Sequence, residues 1–278
     1  MIASFYFSLT NYGVEQIGGF AETEYVGAEN YSRLLDDGKI PLALKNTFIY
    51  TGMMVPATMV VALALASILL RIGRAGDFFR TVFYLPQITP PVAVGILILV
   101  LFNGSYGVVN RALEALPFIE QGPFWTTDPS WIKPSLAIMS VWAVGGTMVI
   151  YLAALRGVPQ HLYEAAAMDG ASAFRRFKDV TLPMISPALF FTFIILTIAG
   201  LNTFTEVYTA YFGAGSTGAE EPEAALMYAI YLFRQAFQFF NMGYAAAMAW
   251  LFFVIVMAVT LLNILGTRRF VFYQGAQR

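Results

Sequence analysis

Five long stretches of the chain contain no Asp, Glu, Lys or Arg: Asn46 to Leu70, Thr81 to Asn110, Pro134 to Leu155, Val180 to Thr205 and Gln235 to Thr267. Each is at least as long as the roughly 20 residues a helix needs to cross about 30 Å of hydrocarbon. A membrane barrel strand would show about ten residues of alternating polarity, whereas these runs are continuously apolar. In lipid every backbone N–H and C=O must be satisfied within the protein, and a helix does so within one segment. The pattern predicts an all-α, polytopic membrane helical bundle, a single transmembrane domain over 1–278. Its spans fall near 46–70, 82–104, 134–156, 184–205 and 244–267. Pro56, Pro86, Pro90 and Pro91 lie inside the runs and should kink or interrupt their helices, since each lacks a donor and crowds the preceding turn. Met1 to Leu9 is apolar but too short to span, and lacks the basic start and cleavage site of a signal peptide. It reads as the truncated end of a first span, whether through start-site choice, an engineered boundary or natural truncation. The expectation is five full spans plus that remnant.

Composition agrees with the pattern. Hydrophobic residues make up 58% of the chain and charged residues 12%, against about a quarter charged in soluble domains. Cysteine is absent, which excludes disulfides and thiolate chemistry but leaves the compartment undecided.

The net charge of −1 says little; its distribution says more. With the five spans alternating, one side receives ten cations (Arg71, Arg74, Arg80, Arg156, Arg175, Arg176, Lys178, Arg268, Arg269 and Arg278) and four acids. The other receives six cations and thirteen acids. Excess Lys and Arg marks the cytoplasmic face, so the segments at 71–80 and 156–179 and the C-terminus are expected inside. The segments at 10–45, 105–133 and 206–234 are expected outside.

Some apparent chemistry dissolves on inspection. Gly213, Gly215 and Gly218 spell G-x-G-x-x-G, but the dinucleotide fingerprint needs a βαβ setting. Here the run follows a membrane helix and leads into Glu220 and Glu221, so it reads as a glycine turn. Ser216 between glycines faintly suggests a nucleophile elbow. Its base would have to be His161, the one histidine of the chain, which is expected across the membrane. No metal-ligand cluster of the His/Cys kind and no Walker A loop is present. The expected role is non-catalytic, with no cofactor or metal bound by this chain.

The informative segment is the inside loop over 157–183. Pro159 suits the first turn of a helix, and Leu162, Ala165, Ala166 and Met168 continue it. Asp169-Gly170 supplies the stop, because glycine takes the left-handed conformation that ends helices. Ser172 is placed to cap a second short helix bearing Phe174, Arg175, Arg176, Phe177 and Lys178. Leu182-Pro183 then leads into the next span. An amphipathic helix resting on lipid headgroups would account for part of this.

The spacing says more. Glu164-Ala-Ala, three residues, Gly170, nine residues, then Val180-Thr-Leu182-Pro183 resembles the signature of binding-protein-dependent ABC importer permeases, with Val180 in place of isoleucine. Gly27-Ala-Glu-Asn30-Tyr31, Asn46-Thr47, Leu85-Pro86, Tyr106-Gly107-Val-Val-Asn110 and Asn202-Thr-Phe204-x-Glu206-x-Tyr208 are similar to the carbohydrate branch of that family, which includes maltose and glycerol-phosphate importers. His161 stands where that branch often carries an acid; it reads as an exposed loop residue.

The resemblance implies the ABC importer permease fold and a multi-pass location in a prokaryotic cell membrane. It also implies a coupling role for Glu164, Ala165, Ala166, Asp169, Gly170, Leu182 and Pro183 against a separate ATPase. The implied partners are a second permease subunit forming a heterodimer, two ATPase subunits holding ATP and Mg, an extracytoplasmic solute-binding protein, a sugar or oligosaccharide, and membrane lipid, with no nucleic acid. Arg175, Arg176 and Lys178 either contact anionic lipid or enforce topology.

Sugars favour amides and aromatic faces, which makes Asn202, Tyr208, Trp142 and Asn263 candidates for the substrate path; each also suits an interfacial belt or ordinary packing. Glu206 is a further candidate, or meets the binding protein. Gly145-Gly146 permits close helix approach or local unwinding. The competing function is an ion-coupled secondary transporter, a class that uses intramembrane charges; these spans have almost none.

Overall fold

Apolar side chains can face lipid unaided, but the backbone cannot, and the computed structural model of the chain meets that demand with helices. It describes residues 1–72, 75–117, 119, 121–213 and 222–267. Among them the only extended pairing is a single bridge between Thr10 and Tyr25. Gly215, Ser216, Gly218, Glu220 and Glu221 of the glycine turn, together with Arg74 and the C-terminal Arg268, Arg269 and Arg278, lie outside the described residues.

Three helices are each long and apolar enough to cross a membrane: Lys39–Ile72, Ala173–Tyr211 and Met242–Gly266. Two more apolar stretches are helix pairs bent by more than 40° at a short break, Gly76–Ile88 with Pro91–Leu101 and Pro129–Trp142 with Gly145–Arg156. The described chain therefore has three candidate spans, and up to five when each bent pair counts as one; the second of the three is interrupted over 202–204, between Leu182–Leu201 and Thr205–Tyr211. The prolines divide accordingly. Pro90-Pro91 marks a break, Pro86 sits in the 3-10 turn Leu85–Ile88, and Pro56 lies within the unbroken Lys39–Ile72 helix. Proline inside a membrane helix is tolerated where neighbouring groups and local adjustment satisfy the freed carbonyl.

The described chain gathers into two compact units. One takes Met1–Thr51, Pro91–Leu136 and Gly200–Val259; the other takes Gly52–Pro90, Ala137–Ala199 and the last part of the chain from Thr260. The acid-rich segments at 10–45, 105–133 and 206–234 all fall in the first unit, and the basic segments at 71–80 and 156–179 fall in the second.

The second unit packs around Ala62, Ala66, Leu69, Met148, Tyr151, Leu152 and Ile185. Lipid tails are as apolar as leucine, so van der Waals fit rather than hydrophobic expulsion holds such helices together. Ala62 and Ala66, one turn apart and fully buried, provide the flat surface that close packing needs. The Tyr151 hydroxyl is 2.6 Å from Thr192 Oγ1, a side-chain hydrogen bond within this core. Gly145 opens the Gly145–Arg156 helix at the break after Trp142. A Cβ there would lie 2.6 Å from Tyr84 Cα and closer still to the Phe83 carbonyl oxygen, so close approach is the role of this glycine. Gly146 has only the Gln87 side chain nearby, at 3.6 Å.

The first unit uses polar ties. Asn46 Nδ2 donates to the Glu223 and Leu226 carbonyls at 2.7 and 3.1 Å. Lys133 Nζ donates to Asn46 Oδ1 and the Ala224 carbonyl at 3.2 and 3.3 Å. The Tyr228 N–H donates to Thr47 Oγ1 at 2.9 Å, and its hydroxyl donates to the Met248 carbonyl at 2.8 Å.

Substituting Gly145→Val forces a branched side chain into backbone and is expected to destabilise the detergent-purified protein by about 2 kcal/mol, a usual cost of overpacking. Gly146→Ala should change stability by less than about 0.5 kcal/mol. Thermal unfolding of the two variants side by side checks this, and equal melting temperatures would contradict it.

Candidate functional site

Pro159 stands at the N-cap of the loop helix with φ −62 and ψ 130, and Gln160–Met168 follows. The helix ends in a paired set of backbone bonds: Gly170 N–H donates to the Ala167 carbonyl at 3.0 Å, and Ala171 N–H to the Ala166 carbonyl at 2.9 Å. This is the Schellman arrangement, which requires a left-handed residue between helix and exit. Gly170 supplies it with φ +72. Ser172 then caps the next turn, its hydroxyl accepting from Arg175 N–H at 3.3 Å. The helix begun at Ala173 does not stop as a separate short element. It passes through a π turn, Phe177–Thr181, into Leu182–Leu201, so Leu182 and Pro183 form the first turn of that helix rather than a linker.

His161, Glu164, Ala165 and Met168 recur at the i, i+3, i+4, i+7 spacing of one helix face, and all four are exposed. Asp169 and Gly170 extend this surface, while Ala166, Leu182 and Pro183 are half-buried. Met168 is 89% exposed and Phe174 75% exposed. Large apolar side chains so bare on a polar loop mark contact surfaces when they cluster, and the loop's charge pattern gave no sign that these two would be so exposed. On the other face the Tyr163 hydroxyl lies 3.0 Å from Thr181 Oγ1, tying the loop helix to the π turn. The Arg175–Asp179 pair, 3.5 Å apart and exposed, contributes little on its own.

The substrate-path candidates do not share one unit. Asn202, Glu206 and Tyr208 lie in the first, whereas Trp142 and Asn263 belong to the second. Glu206 and Tyr208 share the short Thr205–Tyr211 helix. Tyr208 stacks on Phe204 at 5.0 Å between ring centres and meets Phe233 edge-on at 5.2 Å. Its hydroxyl accepts from Gln238 Nε2 at 3.2 Å. A Cβ on Gly95 would sit 2.6 Å from the Glu206 carbonyl oxygen and 2.8 Å from Thr209 Cβ, so the absence of a side chain lets the Pro91–Leu101 helix lie against this one. Asn202 is exposed on the turn after Leu201. Trp142, 42% exposed, ends its helix, and Asn263 is half-buried in the last one.

Asp37 is a residue that sequence reasoning passed over. Its Oδ2 accepts from the Tyr231 and Tyr244 hydroxyls, both at 2.6 Å, and its Oδ1 accepts from Lys39 N–H at 2.9 Å. Gln235 Nε2 donates to the Tyr231 hydroxyl at 3.0 Å, and Arg33 lies 4.4 Å over the Tyr244 ring. Burial works against the Asp37 charge. The two tyrosine hydroxyls, the Lys39 N–H and the Arg33 guanidinium outweigh it and hold the carboxyl below its usual 3.8. Burial, then the bond to Asp37, pushes Tyr231 up to about 12.

Comparison with known proteins gives the family. A family model described as "Binding-protein-dependent transport system inner membrane component" matches residues 58–271. The chain belongs to that family. This permease is 36% identical to the probable ABC transporter permease protein YesP of Bacillus subtilis, over 100% of this chain and 87% of the relative. It is 35% identical to the lactose transport system permease protein LacF of Rhizobium radiobacter, over 92% of this chain and 82% of the relative. A crystal structure of a bacterial alginate ABC transporter, in complex with an alginate pentasaccharide-bound periplasmic protein, superposes with a TM-score of 0.76. It covers 88% of this chain and 84% of that one at 24% identity, a likeness of fold. The permease is thus a nearly all-helical, multi-pass inner-membrane protein.

The Asp37 network gives a signed pH dependence. A carboxyl whose pKa is lowered on folding contributes stability above its unfolded value near 4 and loses it as pH falls through the lower, folded value. Asp37→Asn should therefore destabilise the permease by about 2 kcal/mol at neutral pH, the scale of hydrogen bonds to a charged group. The difference from wild type should shrink below about pH 4. Melting curves against pH test this; a deficit that stays constant across the range would contradict it.

Proposed function

We propose that this permease is the membrane subunit of an ATP-driven importer for a sugar or oligosaccharide and forms half of its translocation path. A second permease subunit completes the path as a heterodimer. Two ATPase subunits, carrying ATP and Mg, act at the cytoplasmic face, and an extracytoplasmic binding protein delivers the solute. This chain performs no chemistry. The carbohydrate reading draws on relatives such as the lactose permease and on the alginate transporter of like fold. The excess of Lys and Arg around 71–80 and 156–179 supports placing those segments and the C-terminus inside.

One observation carries the coupling reading: a short, exposed helix that ends in a tight glycine turn and leads, without a flexible joint, into an apolar span. Small Ala165 and Ala166 allow a groove to close around that helix, Glu164 offers a charged contact, and Met168 supplies adaptable apolar surface. Force applied to such a helix is transmitted to the span as a rigid-body displacement, the kind of movement that alternates access. Asn202, Glu206, Tyr208, Trp142 and Asn263 remain the proposed substrate-path residues; the stacked Phe204 and Tyr208 offer flat faces suited to sugar rings.

A β-branched residue at Gly170 must leave the left-handed region or adopt it at a cost of roughly 1–2 kcal/mol, which alters the turn without touching any span. Gly170→Val should abolish solute uptake while membrane abundance stays normal. Uptake by membrane vesicles supplied with ATP, with abundance measured in parallel, tests this; normal uptake at normal abundance would sink the coupling assignment.

A further inference from the structure

A cavity beside the loop helix has no part in the reading above. It measures about 340 Å³, within the range of ~300–1,000 Å³ typical of small-molecule sites. Arg71, Arg176, Tyr163, Thr181, Ser67 and Gln160 supply its polar lining, and Leu155 and Phe177 supply apolar wall. Two cations line it and no carboxylate does.

Arg71 lies in the last turn of the Lys39–Ile72 helix, and Leu155 in the last turn of Gly145–Arg156. Arg176 ends the Ala173–Arg176 turn and is followed by the π turn. Its Nε is buried and has no hydrogen-bond partner among the described residues, a state that folded proteins rarely leave unrelieved. The nearby carboxylate of Asp179 is engaged by Arg175 at 3.5 Å. Tyr163 and Thr181 share one hydrogen bond in which either oxygen can be the donor, so one of the two hydroxyl protons remains to be given. Ser67 already donates to the Leu63 carbonyl at 2.7 Å, so the donors left to a ligand come chiefly from the two arginines, whose guanidinium fork matches the oxygens of a tetrahedral anion in pairs.

We propose that this cavity binds a phosphate group, presented by the headgroup of an anionic phospholipid or as the free ion. Arginines at the end of a membrane helix sit at headgroup depth, and basic pockets between such helices hold anionic headgroups. Leu155 and Phe177 give the lipid a wall that free phosphate does not need. A phosphate held there bridges the end of the Lys39–Ile72 helix and the base of the loop, whatever the loop docks against.

The test uses the whole assembled transporter, purified in neutral detergent and stripped of lipid. Phosphatidylglycerol and, separately, inorganic phosphate are titrated in, with bound ligand read by native mass spectrometry and by equilibrium dialysis of labelled phosphate. Replacing both Arg71→Gln and Arg176→Gln should weaken binding at least tenfold, the scale of losing a charge-assisted pair. Lys178→Gln and, separately, Lys178→Ala, at an exposed position on the same loop and absent from the cavity lining, should leave it unchanged. Arg176→Lys keeps the charge and loses the fork; it should give an intermediate affinity and carries the test if the double substitution does not assemble. Phosphatidylglycerol binding that inorganic phosphate cannot displace assigns a lipid headgroup, whereas binding of inorganic phosphate alone assigns the free ion. Wild-type affinity in the cavity variants, equal loss in the loop-surface variants, or no wild-type binding of either ligand overturns the proposal.

Discussion

The structure depends on the backbone's need for hydrogen bonds where no water can supply them. Once Lys39–Ile72 or Met242–Thr267 enters hydrocarbon, each peptide group is served from within its own helix, and side chains are free to be apolar on every side. Val60 at 68% and Leu262 at 67% exposed are then ordinary, since lipid is a solvent that can cover them. The same demand makes interruptions costly. Pro90-Pro91 removes two donors at one break, and at the other Gly145 lets backbone lie against backbone.

Within that constraint the two units are held by different means. In the second, small Ala62 and Ala66 and the buried Tyr151–Thr192 bond give close contact with little polarity. Packing of that kind tolerates few changes of size, because a dense interior has no room to absorb them. In the first, Asn46, Lys133, Thr47, Tyr228 and Asp37 form polar ties between segments far apart in the chain. Such ties fix one arrangement over others, since a slipped register would leave donors and acceptors unmatched in a poor solvent for them.

The loop over 157–183 joins these physical themes to function. Its exposed helix face is set by a periodicity any amphipathic helix shows, and its end is set by one left-handed glycine. What would let it act as a lever, on the proposed coupling reading, is mechanical continuity. The Ser172 cap, the π turn and the Tyr163–Thr181 bond connect it to the span without a flexible joint. Met168 and Phe174 leave large apolar side chains bare on this loop.

Much of this was legible in the residues, because it depends on local rules. Length and unbroken apolarity determined helices that suit a membrane; Pro159, Gly170 and Ser172 determined where the loop helix starts, where it ends and where the next turn begins. These follow from dihedral preferences and caps that reach only a few residues. The tertiary structure decided the rest. Asp37 finds Tyr231 and Tyr244, 194 and 207 residues away, and nothing in its own neighbourhood marks it out from the other acids of the segments at 10–45, 105–133 and 206–234. Arg176 and Arg175 are adjacent in sequence, yet one pairs with Asp179 and the other lines a cavity with Arg71. The expected second helix and span proved continuous, because a π turn accommodates an extra residue that no propensity scale distinguishes from a break. Local conformation is set by neighbours in sequence, but partnership is set by which distant segments pack together, and that is a property of the folded chain alone.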